Sequence, residues 1–199
     1  NLSYVFTSYR SLVSIFPGVR SNLTVFAQTM YAKPVDRQDM QVVYDAYKKR
    51  YKLDLQPAAE ESLFNVIGGY MQYLQLGLIT LNEMNKSKSS EEEVVKALLS
   101  DERIMLQSEE LWESLTFDEQ KVLLQIVKKQ KIEQADQERA RYLWDTGFIT
   151  ETSAETHVFS PLFNEYLLQI EHEENKKKRT AHLTRKENLL FTLLKEQLG

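Results

Sequence analysis

From Asp36 to Tyr51 the residues Met40, Val43, Tyr44, Tyr47 and Tyr51 recur at steps of three and four, the period that puts side chains on one face of a helix. Asp36 stands where its carboxylate can cap that helix. Pro57 suits the first turn of the next helix, which carries Leu63, Val66 and Ile67 on one face and closes at Gly68-Gly69. A third helix, from Tyr70 to about Met84, is apolar nearly all round and is expected at the centre of its bundle. The stretch Asn85 to Ser90 has no apolar residue and reads as a linker or loop between two modules.

Beyond it, Ser90 with Glu93 and Thr116 with Glu119 form capping boxes. They predict helices over Val94 to Leu99 and through Val122, Leu123, Ile126 and Val127, with another between them from Arg103 to Ser114, anchored by Trp112. Helix continues around Ala140 to Trp144 and stops at Gly147. Phe148-Ile149-Thr150 and His157-Val158-Phe159 flank the polar run Glu151 to Thr156, which predicts two short strands and a turn. Ser160-Pro161 then opens a helix carrying Leu162, Phe163, Tyr166, Leu167 and Ile170. Helices followed by a hairpin are the signature of a winged helix. Near the start, Tyr4 to Thr7 reads as a buried strand whose polar tip is Ser8, Tyr9 and Arg10. Val25 to Ala32 reads as a further short strand or an irregular connector.

Composition narrows the chemistry. The 199 residues are 42% hydrophobic and 27% charged, ordinary values for a folded chain of one large or two small domains. No cysteine is present, which removes thiolate nucleophiles and Cys-based zinc sites. His157, His172 and His182 match no metal spacing, and no glycine precedes a lysine, so the chain holds neither a P-loop nor a dinucleotide fingerprint. The carboxylate runs Glu91 to Glu93 and Glu171, Glu173 and Glu174 sit in polar surroundings that would not separate their pKa values. The chain starts without Met and ends on Gly199, and we read it as a piece of a longer protein.

The net charge of −4 gives no global pull toward nucleic acid. Basic residues group at Lys48 to Lys52, at Lys128, Lys129 and Lys131, and at Lys176 to Arg179, where solvated helix ends are the simpler reading. No apolar run approaches the roughly 18 residues of a membrane span, so no membrane association is expected and a cytoplasmic location is the default. Leu115-Thr116-x-x-Glu119-x-x-Val122-Leu123 is echoed by Leu183-Thr184-x-x-Glu187-x-x-Leu190-Phe191. Any capped amphipathic helix looks like this; the sharper reading starts a second winged helix at Thr184.

Four stretches together resemble the C-terminal half of an AAA+/STAND archaeal-type ATPase. Tyr4-Val5-Phe6-Thr7-Ser8-Tyr9-Arg10 is similar to the sensor-1 strand, and Lys33-Pro34-Val35-Asp36 to the segment joining nucleotide core and helical lid. Gly68-Gly69-Tyr70-Met71-Gln72-Tyr73-Leu74 resembles a lid motif written Gly-Gly-His-Pro-x-x-Leu, with Met71 in place of the proline that packs on adenine. Leu115 to Leu167 resembles the winged helix that follows the lid.

The resemblance implies a mainly α chain: a helical lid bundle, then a winged-helix domain with a short β-hairpin, preceded by the last strand or strands of a truncated α/β nucleotide-binding core. Its parts would be residues 1–34 (end of the core), 35–88 (lid), 89–172 (winged helix) and 173–199 (basic linker and start of a possible second winged helix). ATP or ADP would be the cofactor, with Mg supplied by upstream residues. Thr7, Ser8 and Arg10 would face phosphate, and Gly68, Gly69, Tyr70 and Met71 the base; no catalytic or metal residue is assigned. Arg10 reads equally as a surface arginine paired with a carboxylate, Thr7 and Ser8 as hydroxyls satisfying local backbone, Gly68-Gly69 as a plain helix end, and Tyr70 and Met71 as ordinary core packing.

The implied role is that of a regulatory region coupling nucleotide state to signalling, contacting nucleotide through the missing core and a protein partner or a second copy. Without a P-loop this piece alone is not expected to hydrolyse ATP. DNA is not favoured, because Glu151 and Glu155 on the wing would face phosphate, although Gln137, Arg139 and Arg141 lie on the candidate recognition helix. Two alternatives stand beside it: a winged-helix DNA-binding regulator, and a ligand-free helical protein-interaction module.

Overall fold

The computed structural model describes residues 30–84, 90–152, 155–173 and 175–176. All of its described secondary structure lies in the compact unit that begins at Lys33. The expected strand at Tyr4 to Arg10 and the possible second winged helix from Thr184 lie outside the described residues.

Helix α1 spans Arg37–Tyr51, and the Asp36 carboxylate accepts the amides of Gln38 and Asp39 at 2.9 and 3.0 Å. Lys48, Lys49 and Arg50 occupy its last turn, where cations complement the helix dipole. Helix α2 spans Pro57–Ile67 with proline in its first turn, where the missing amide costs nothing. Helix α3, Met71–Glu83, contacts α1 and α2. Helices α4, Glu91–Leu99, and α5, Glu102–Glu113, follow, capped by the Ser90/Glu93 box and by Asp101. They also pack on α3, and α4 packs on α2 as well. The helices after the polar stretch at 85–90 thus bury their apolar faces on those before it, around Leu63, Ile67, Leu74, Leu78 and Leu98.

Helix α6, Phe117–Val127, opens on the Thr116/Glu119 capping box. Helices α7, Gln134–Arg139, and α8, Tyr142–Asp145, lead into the antiparallel strands β1, Ile149–Glu151, and β2, Thr156–Val158. Ile149 pairs with Val158, and both side chains turn inward. A last helix, α9, covers residues 161–173. The core runs without interruption from Met40 in α1 to Leu167 in α9. Among the described residues the chain is mainly helical, with one small two-stranded sheet.

One expected element is divided. The stretch that sequence reads as a single recognition helix breaks at Ala140, whose carbonyl accepts the Leu143 amide in a tight turn. Arg141 then sits outside α8 as its cap residue, and Gln137, Glu138 and Arg139 remain in α7. No described helix is long and apolar enough to cross a membrane.

Candidate functional site

The turn between α2 and α3 is built by two consecutive glycines. Gly68 closes α2 in the left-handed region, φ +64°, and donates to the Phe64 carbonyl; Gly69 follows at φ +82°. Close approach constrains both as much as backbone angle does. A β-carbon on Gly68 would collide with the Phe159 carbonyl, and one on Gly69 with the Val35 carbonyl. The Val35 amide also donates to the Gly69 carbonyl at 2.9 Å, and Pro34 lies against Gly147, just before the hairpin. The connecting segment, the glycine turn and both ends of the hairpin therefore meet at one place.

Ser160 fastens that junction. Its hydroxyl donates to the Val66 carbonyl at 2.8 Å and accepts the amides of Leu162 at 3.2 Å and Phe163 at 3.5 Å. One fully buried side chain thereby satisfies the end of α2 and the start of α9 together. Around it the Tyr70 ring meets Tyr73 edge-on at 4.9 Å and Phe159 at 5.8 Å, and Phe159 also contacts Phe148 and Phe163. Tyr73 passes beneath to share a 2.6 Å hydrogen bond with Ser108 on α5, and burial pushes its hydroxyl pKa up. The Tyr70 hydroxyl reaches Gln72, and half-buried Met71 packs against the core.

Of the expected nucleotide residues, Gly68, Gly69, Tyr70 and Met71 are thus contiguous at this junction. Thr7, Ser8 and Arg10 lie outside the described residues. Among the described residues no cluster of three His, Asp or Glu side chains is placed to hold a metal ion.

On the helix–hairpin face, Arg139, Arg141 and Glu151, which a DNA reader would present to its target, each have a partner within the chain. Asp136 on α7 receives Lys121 at 2.8 Å and Arg139, and Arg139 also approaches Asp118 at 3.8 Å. The hydrogen bonds from Lys121 and Arg139 hold the Asp136 carboxyl at about 2, below its usual range. Arg141 approaches Asp145 at 3.8 Å, and Glu151 accepts the Trp144 indole N–H at 2.6 Å.

Sequence reading misses the partnership of Val66 with Ser160, 94 positions apart. It also misses a groove of about 620 Å³ beside Trp144 and the hairpin. The serine-proline pair at 160–161 signals a helix start, but nothing local signals its distant partner. No protein family, curated protein or solved structure matches the chain.

Proposed function

We propose that the chain is the regulatory C-terminal region of a nucleotide-dependent molecular-switch ATPase, with α1 to α3 acting as the helical lid and residues 89–172 as the winged-helix domain. ATP would be held between the lid and an upstream core, and a change at the phosphate would turn lid and winged helix as one body. The observation that carries this reading is the shared junction: the segment from Lys33, the Gly68-Gly69 turn and the Phe159-Ser160 exit of the hairpin are in direct contact. Motion delivered through residues 33–35 would reach both modules at once. The engagement of Arg139 by Asp136 and of Glu151 by the Trp144 indole favours protein docking over DNA for the winged helix.

The test is hydrogen exchange on the natural full-length protein under ATP and under ADP. Amides at 35, 68–71 and 162–163 should change protection together between the two nucleotides, and the 199-residue chain alone should show no ATPase activity. Equal protection in the two states, or an upstream sequence without a phosphate-binding loop, would overturn the reading.

A further inference from the structure

The groove of about 620 Å³ opens between the end of α6, α8, the hairpin and the first turns of α9. Its size falls within the roughly 300–1,000 Å³ of ligand-binding pockets. Lys129 and Lys131 line it from the segment after α6, Glu151 and Glu155 from the hairpin, and Ile126, Ile132 and Leu168 supply apolar surface. Charges of opposite sign lining one groove are able to pair with each other. Among the described residues, however, Lys129, Lys131 and Glu155 make no ion pair. Glu151 is taken by Trp144, and that bond fixes the indole as part of the lining.

Two further observations point the same way. The side-chain amides of Gln137 and Asn164 line the groove and have no hydrogen-bond partner among the described residues. Lys129 closes α6 at φ +54°, its amide bonded to the Ile126 carbonyl and the next amide, of Gln130, to the Gln125 carbonyl. That pairing normally ends in glycine. Lys52 ends α1 in the same left-handed conformation, so backbone shape alone marks no site. Lys129 differs in the company it keeps: a second lysine, an indole held in place and two carboxylates lining the same groove.

We propose that this groove binds a short extended peptide of a partner protein, acidic at one end, with a central leucine or phenylalanine and a basic residue at the other end. Lys129 and Lys131 take the acidic end, Trp144 and Leu168 take the apolar side chain, and Glu155 takes the basic residue. Gln137 and Asn164 each present one amide donor group and one acceptor, which is what a peptide backbone requires. A nucleic acid would set its phosphates against Glu151 and Glu155. The inference stands apart from the nucleotide reading, because every group it uses lies between residues 126 and 168.

Trp144 is a built-in reporter once Trp112, the other tryptophan, is removed. A Trp112→Phe chain would be titrated with an equimolar library of blocked hexapeptides carrying Asp or Glu at the first two positions, Leu or Phe at the fourth and Lys at the sixth. A charge-reversed library and a ten-nucleotide oligothymidylate serve as competing probes. The expected result is a saturable change in Trp144 emission with the first library, weakened tenfold or more in a Lys129→Glu/Lys131→Glu variant. Equal binding of the two libraries, saturation only by the oligonucleotide, or no saturation by any probe would overturn the proposal. Should the Trp112→Phe chain fail to fold, hydrogen exchange on the unsubstituted chain gives the same answer. Protection at 129–132 and 155–157 on adding the first library supports the site, and its absence overturns it.

Discussion

At Gly68 the demands of backbone and packing coincide. Alanine there would need a left-handed backbone, at about 1–2 kcal/mol, and would push on the Phe159 carbonyl, which cannot swing aside as a side-chain tip can. Overpacking typically adds about 1–3 kcal/mol. Gly68→Ala should therefore lose about 2–5 kcal/mol in urea unfolding, a large share of the roughly 5–15 kcal/mol that folded proteins possess. Lys52 and Lys129 are the mirror case, each a lysine in the same left-handed region. Lys52→Gly and Lys129→Gly should each raise stability by about 1 kcal/mol, since glycine meets no steric penalty there; a shift of the urea midpoint upward checks it. Ser160→Ala should cost about 1–3 kcal/mol, because it removes the hydroxyl that satisfies the part-buried Val66 carbonyl.

At the scale of the element, two carboxylates tie helices to one another and give the molecule an acid limit. Asp101 caps α5 and lies between α3 and α5. Burial pushes its carboxyl up, but hydrogen bonds from Arg103 and Thr80 outweigh that and hold it at about 2. Arg103 also grips Glu83 at the end of α3, at 2.8 Å. Asp136 joins α7 to α6 through Lys121 in the same manner. Both carboxyls lie below the roughly 3.9 of an unfolded aspartate, so their stabilisation is complete above that value. It is lost as pH falls from about 4 toward 2, when the unfolded chain binds protons first. Melting temperature measured against pH should drop steeply in that window, and Asp101→Asn and Asp136→Asn should each flatten the drop while lowering stability at neutral pH.

Elements were also the scale most open to reading from sequence. Asp36, Ser90 with Glu93 and Thr116 with Glu119 each bond amides within three residues, and Pro57 fixes the backbone of its own first turn, so local chemistry announces them. The hairpin was legible for the same reason, because Ile149 and Val158 alternate with polar neighbours. The break at Ala140 was not, since the residues from Gln134 to Trp144 carry no glycine or proline to mark it. The use of Gly68 and Gly69 was legible only as a helix end. What fills the space beside them comes from Val35 and Phe159, and no local rule reaches that far. The groove is assembled from five separate stretches of chain, which leaves no periodic trace.

For the whole molecule, the shared core from Met40 to Leu167 makes the two sides of the 85–90 stretch interdependent. Separately expressed segments 33–84 and 90–176 would each expose the apolar faces that α2 and α3 bury on α4 and α5. Neither should show a cooperative thermal transition by circular dichroism, whereas co-expression should yield a complex that does. A sharp melt from either segment alone would show that it carries a core of its own.

The bond from Ser160 to Val66 also sets a clock. At synthesis rates of roughly 5–20 residues per second, the 94 residues between them take about 5–20 s to emerge. Throughout that interval the nascent α2–α3 turn has glycines but not the Phe159 carbonyl that packs against them. The early helices must wait, part-assembled and with apolar faces uncovered, for a residue not yet made. Synonymous codon changes that slow translation between positions 66 and 160 should therefore lengthen exposure to chaperones and proteases, read as more chaperone capture and cleavage of the nascent chain than with the original codons.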